Sequence, residues 1–240
     1  MRWAVLALAA LALSGCETSA EKSAKLEKAA LARLPKGPAP SGLSVTKPSR
    51  VLKVLSSTIL HDSEGTAAVV TLRNDSPSAL QAVPLEITLT GASGSTLYSN
   101  TGSGLSPSLT SVSYIPAHGT TTWVDDQVQA AETPTAIRAV AGEGIRAAGQ
   151  PPRIEVHRGE VTQEASGTEV KGTAVNGSSI AQRELVIYAV SAQGGRILAA
   201  GRAVLRELGG GGSASFSILM IGSAPRGARI TLSAPATTLG

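Results

Sequence analysis

GTAAVVTLRN (residues 65–74) and GTEVKGTAVN (residues 167–176) follow one plan. Each opens on Gly-Thr and closes on Asn nine residues after the glycine. Ala68, Val70 and Leu72 of the first correspond to Val170, Gly172 and Ala174 of the second. Side chains two apart share one face of a strand, so that face is predicted to be buried in both copies. A turn follows each Asn, then an apolar strand: VPLEITLT (83–90) in the first copy and LVIYAV (185–190) in the second. LVIYAV is apolar on both faces and reads as a central strand. Pro84 has no N–H to give a ladder, so its strand is expected to be an edge or to start there.

The repeat continues. Gly119-x-x-x-Trp123 corresponds to Gly212-x-x-x-Phe216, and Pro134 to Arg138 is matched with Pro225 to Arg229. The offset falls from 102 to 93 between the first and second landmarks, so the first copy holds about nine extra residues, placed at SNTGSGLSPS (99–108). The expected fold is all-β, with two tandem immunoglobulin-like β-sandwiches at 51–142 and 153–240. A Gly- and Pro-bearing linker at 143–152 joins them. Within residues 167–201, the order strand, Asn176 turn, apolar strand with Tyr188, Gly194-Gly195 turn and strand resembles the FxLYD-type domain of bacterial surface proteins. That resemblance implies a β-sandwich in a secreted or lipid-anchored protein and names no activity.

The amino terminus gives an address. Met1 and Arg2 precede eleven apolar residues, which is too short a run to span a bilayer and has the layout of an export signal over 1–15. Leu13-Ser14-Gly15-Cys16 resembles the lipobox of bacterial lipoproteins. The resemblance implies diacylglyceryl transfer to Cys16, cleavage before it, and a chain moored by lipid to a membrane of the bacterial cell envelope. Two acyl chains make such mooring stable. Residues 16–50 then read as a tether. A short helix over 20–34 places Leu26, Ala30 and Leu34 on one face and pairs Glu21 with Lys25, and a Pro/Gly spacer follows.

Cys16 is the only cysteine, so no intrachain disulfide forms, and only five aromatic residues follow it. Stability must come from aliphatic packing. Residues 1–49 carry seven Lys/Arg against three Glu, 50–149 five against eight acids, and 150–240 nine against six. The basic residues are scattered and stacking aromatics are scarce, so nucleic acid is a poor partner.

The search for chemistry returns little. His61, His118 and His157 are widely separated and have no zinc spacing. Asp125-Asp126 lies in a strand, so the two side chains should point to opposite faces of a solvated acidic edge. Ser19-x-x-Lys22 and Ser44-x-x-Lys47 lie in the tether, and Gly209–Gly212 lacks the residues of a phosphate loop. Asn74 and Asn176 sit in formal glycosylation sequons and read as turn residues. No catalytic residue, metal site or cofactor is expected. The expected function is a lipid-anchored envelope protein presenting its sandwiches for protein interaction or spacing. The 99–113 insertion and the Gly209–Gly212 loop are candidate contacts with an envelope protein. One alternative is a carbohydrate- or ligand-binding module, which requires Tyr98 and Tyr114 to form an exposed platform. Another is an enzyme, which requires a pocket lined by several of Asp125, Asp126, Glu132 and His118.

Overall fold

The computed structural model describes residues 18–31, 43–102, 104–164 and 167–240. Cys16, the apolar run before it and residues 32–42 of the expected tether lie outside the described residues. Among the described residues, no helix is long and apolar enough to cross a membrane.

The described residues are all-β apart from one helix, α1 (Ser19–Leu31), and a 3-10 turn at Pro107–Leu109. In the first half, β1 (Leu52–Asp62), β2 (Gly65–Asn74) and β6 (Thr120–Val128) form a three-stranded antiparallel sheet. The facing sheet is built on β3 (Leu80–Thr90), which pairs with β4 (Thr96–Ser99), β5 (Ser111–Ile115), β7 (Ala136–Ala141) and β8 (Ile145–Arg146). In the second half, β9 (Ile154–Glu164), β10 (Gly167–Asn176) and β13 (Ser213–Gly222) face β11 (Gln182–Gln193), β12 (Arg196–Leu208) and β14 (Arg229–Ser233). The end of β13 pairs with β12 at Ala199↔Gly222 and Ala200↔Ile221, which links the two layers.

Pairing repeats along with sequence. β1 and β2 run from Leu52↔Asn74 to Asp62↔Gly65, and β9 and β10 from Ile154↔Asn176 to Glu164↔Gly167. Val70 faces Trp123 across β2 and β6, as Gly172 faces Phe216 across β10 and β13. Gly172 is forced there, because a Cβ would meet the Phe216 ring at 2.5 Å. Ala82 and Glu184, also 102 residues apart, both hold φ near +49°, a conformation few non-glycine residues adopt. One expected match shifts. Arg138 lies opposite Thr88, and the corresponding place opposite Val190 is filled by Thr231, two residues beyond Arg229.

β11 is central, between β12 and β14, and its residues Leu185 to Ala189 are buried on both faces. Pro84 corrects the expectation of an edge. It lies inside β3, flanked on one side by Ser111 of β5. On the other side the β7–β8 ladder is interrupted at 142–144, and the Gly142 N–H donates to the Pro84 carbonyl (2.8 Å), a bond that needs no donor from proline.

The two sequon asparagines are fully buried staples. Asn74 Nδ2 donates to the carbonyls of Ser78 (2.8 Å) and Pro116 (3.0 Å), while its Oδ1 accepts from Ser76 N–H (3.0 Å) and hydroxyl (2.7 Å). Asn176 Nδ2 donates to Ile180 (2.8 Å), Gly209 (3.2 Å) and Leu208 (3.3 Å), and Oδ1 accepts from Ser178 in the same way. Each side chain ties the end of one strand to the next turn and to the strand across the sandwich. Asn176→Ala strips several buried partners at once, and each unsatisfied group costs about 1–3 kcal/mol. Urea unfolding should show a loss of about 2–4 kcal/mol, and Asn176→Asp, which cannot donate, should not restore it.

Candidate functional site

The side chains with chemical potential meet where the two halves join. β2 is buried on both faces from Ala67 to Val70 because each face has its own cover. Val70 and Leu72 face the first sandwich. Ala67, Val69 and Val124 join a core cluster that also takes in Val186, Tyr188, Ala200 and Ile221 of the second half. The outward face of one sheet therefore packs on the outward face of β11 and β12. Fully burying a Val, Leu or Ile side chain is worth roughly 1.5–3 kcal/mol, so this shared core holds the halves together.

A polar cluster is set into that seam. Arg202 of β12 and Glu27 of α1 form an ion pair (Nη2–Oε1 3.2 Å) with side chains 1% and 7% exposed. Arg202 Nη2 also donates to Ser108 Oγ (2.6 Å), and its backbone N–H donates to Asp126 Oδ2 (2.9 Å). Asp126 accepts a second bond from Ser23 Oγ (2.9 Å), and Gln127 Nε2 donates to Glu27. Asp125 turns the other way, into the first sandwich, where it accepts from Tyr98 Oη (2.7 Å) and the Gln127 N–H (2.9 Å). The two carboxylates do point to opposite faces. The solvated acidic edge is a misreading, since both are fully buried. The second half covers the face that would otherwise meet water.

Burial sets the electrostatics. It pushes Asp126 up to about 7, against the pull of Arg202 and its N–H. It raises Asp125 too, with Tyr98 and Gln127 opposing. Burial and then the Asp125 charge raise the Tyr98 phenol. Burial also opposes the charge on Arg202, but Glu27, Tyr188, Asp126 and Asp125 together outweigh it and hold the guanidinium above its ordinary value. The satisfaction is incomplete: Asp126 Oδ1 and Arg202 Nε and Nη1 are buried without hydrogen-bond partners.

α1 enters the cluster with its polar side. Ser19, Ser23 and Glu27 are spaced by four, so they share one face, and all three are buried, whereas Leu26 is 59% exposed. Of the expected stripe Leu26, Ala30 and Leu34, only the side chain of Leu26 is described, and it points outward. The start is set by a capping box: Thr18 N–H donates to Glu21 Oε2 (3.0 Å), and Glu21 N–H to Thr18 Oγ1 (3.3 Å). The Glu64 carboxylate then receives the Ser19 N–H (3.0 Å), placing negative charge at the positive end of the helix.

The insertion does structural work. β12 passes from Ala200 to Val204 through three residues, whereas the same path in the first half, from Ser99 to Ser111, takes the eleven residues 100–110. Asn100 and Leu109 are buried, and Asn100 Nδ2 donates to the carbonyls of Leu85 and Leu109. The Ser108 carbonyl accepts the Trp123 indole N–H (2.9 Å). Only Thr101, Gly102 and Gly104 of the described insertion are exposed. In the second half the corresponding space, beside Phe216, is a cleft of about 230 Å³ lined by Leu26, Glu27, Arg202, Val204, Phe216 and Leu219 among others. The Gly209–Gly212 turn is pinned to the Asn176 turn, with Gly211 N–H on Ser178 (2.7 Å) and Asn176 N–H on Gly212 (2.9 Å).

The remaining candidates stay apart. His61 bonds Thr66 (2.8 Å) and Thr133 (3.0 Å), His157 lies 3.4 Å from Glu155, and His118 sits in a turn. Among the described residues, no group of His, Cys, Asp and Glu is arranged to hold a metal ion. Asp125, Asp126, Glu132 and His118 do not line the cleft. Tyr114 is buried and the Tyr98 hydroxyl turns inward to Asp125, so they form no platform for a sugar. Sequence reading missed Glu27 and Arg202, which are 175 positions apart and carry no local signal. The Thr18-x-x-Glu21 capping box was legible and fixes the helix start one residue earlier than expected.

No protein-family model matches the chain, and no curated protein matches it. Among solved structures it is similar to a red sea bream transglutaminase, with 13% identity and a TM-score of 0.26. That alignment covers 78% of this chain and 30% of the other, so the chain spans about a third of its length. So loose a superposition carries no argument.

Asp126 makes stability depend on pH. Its value in the folded protein is above the ordinary 3.8, so the folded state keeps a proton that the unfolded state releases. Stability should therefore fall as pH rises from about 4 to about 7 and level off above, and Asp125 acts in the same direction. Asp126→Asn should flatten that slope, read as urea midpoints at pH 5 and pH 8. Leu109→Ala, at a side chain 2% exposed, should cost about 2–5 kcal/mol.

Proposed function

We propose that the protein is an envelope lipoprotein, held to the membrane by acylated Cys16, whose β body serves protein interaction or spacing and performs no catalysis. The observation that carries this reading is the use of Asp126, Glu27 and Arg202 as an internal joint between the halves. A joint of buried charges on a shared apolar core makes one stiff body, which suits a part that holds a surface at a fixed place. The surface offered is strand edge. Among the described residues β1 pairs as a strand only with β2, and Val51, Val54 and Leu55 near its start are 39%, 37% and 48% exposed. An extended segment of a partner envelope protein would add there by main-chain hydrogen bonds. The lipobox resemblance of Leu13 to Cys16 supports the mooring, with Cys16 as the residue that carries the lipid.

A second reading, a ligand-binding module, rests on the cleft beside Phe216 and Arg202. It predicts that Phe216→Ala alters ligand binding while leaving membrane attachment unchanged.

The lead reading is tested by expressing the full chain in a bacterial host and fractionating it. Wild type should sediment with membranes and yield an amino-terminal peptide beginning at Cys16 and carrying diacylglycerol. Cys16→Ser should be released to the soluble fraction. A soluble wild type with a free thiol at Cys16 would overturn the reading.

A further inference from the structure

We infer that α1 is a releasable clasp, which undocks from the body while the sandwiches stay folded. On the lipid-anchored reading of Cys16, on which this consequence rests, the clasp sets how far the body stands from the membrane.

Among the described side chains of α1, those buried are Ser19, Ser23 and Glu27, while Ala20 packs only partly against the shared core and Leu26 faces outward. The contacts seen in docking are chiefly polar: Ser19 and Ala20 donate to Glu64, Ser23 donates to Asp126, and Glu27 pairs with Arg202 and accepts from Gln127 and Ser108. A buried ion pair returns little over its hydrated partners, because both charges lose their water. Three polar atoms here, Asp126 Oδ1 and Arg202 Nε and Nη1, have no partner while the helix is docked, and exposure would hydrate them. The seat is also incomplete, since the 230 Å³ cleft opens between α1 and the β12–β13 face. The cores of the strands are built from other elements: among the described residues, α1 adds to the core clusters only the partly buried Ala20. An element with few apolar contacts and dispensable hydrogen bonds opens at lower free energy than the body it covers.

The consequence for reach is geometric. Ser19 lies three residues after Cys16, so a docked helix holds the body within about 10 Å of the lipidated residue at full extension. With α1 released, the chain next pairs with the sheets at Pro48, bridged to Gly142, and the 32 residues from Cys16 allow about 110 Å at full extension. The helix therefore separates a close-held body from a far-reaching one.

Hydrogen exchange on the full chain in phospholipid vesicles tests the clasp. Amides of α1 should exchange about a hundredfold or more faster than those of β2 and β11, and Glu27→Ala should speed α1 alone. Exchange of α1 at the rate of the core strands would overturn the proposal. Because Glu27→Ala leaves Arg202 buried and unpaired, Glu27→Ala combined with Arg202→Met is measured alongside, and faster α1 exchange with unchanged core rates is expected there too. Energy transfer from a dye on the exposed β11–β12 turn to dyes in the bilayer reads the reach. Lower transfer in the variants supports it, and unchanged transfer with a fast-exchanging helix overturns it. Failure of wild type to bind vesicles overturns the lipid-anchored reading, while the exchange rates still decide whether the clasp exists.

Discussion

The contact between Arg202 and its acidic neighbours fixes the architecture. Arg202 sits on the outer face of β12, where a lone sandwich would present it to water. Here its backbone N–H reaches Asp126 of the first half and its guanidinium reaches Glu27 of α1 and Ser108 of the insertion. One residue of the second half thus touches three separate elements. Dispersion and burial supply most of the attraction between the halves, but aliphatic contacts are tolerant of sliding. A charged fork with directional partners is not, so Arg202 sets the register in which the two outer faces meet.

The repeat shows how one strand plan serves two roles. Both halves keep the same pairing, the same buried Asn and the same kink at Ala82 and Glu184. They differ where β12 runs straight and its counterpart leaves the sheet between Ser99 and Ser111. The excursion closes the first sandwich over Trp123 and carries Ser108 to Arg202. Without an equivalent, the second half has the open cleft at Phe216. The additional length is thus the first half's contribution to the joint as well as its own lid.

Strand periodicity and the Asn turns were legible because they are local: alternation, a Gly start and an Asn end lie within ten residues. The correspondence of Trp123 with Phe216 followed from the same local pattern. Asp125 and Asp126 were legible in direction and not in burial. A strand puts neighbours on opposite faces whatever covers them, and the cover on Asp126 comes from residues 23 and 202. α1 was legible as a helix, but the face it docks was not: the partner groove is lined by carboxylate and guanidinium, so the side that fits is Ser19, Ser23 and Glu27. Pro84 misled for a related reason: an interior strand accepts proline where its neighbour ladder is interrupted.

The same joint bears on whether the halves can be treated as independent modules. Removing the second half would expose Ala67, Val69 and Val124 together with Asp126, an apolar face with a buried carboxylate at its edge. Removing the first would expose Val186, Tyr188 and Ala200 and leave Arg202 without Asp126 and Ser108. Neither face resembles the solvated outer side of a free-standing sandwich, where polar residues alternate with the core. A chain with no disulfide to hold a small unit together gains stability from size, because a larger body buries a greater share of its surface. Packing the two halves outer face to outer face achieves this.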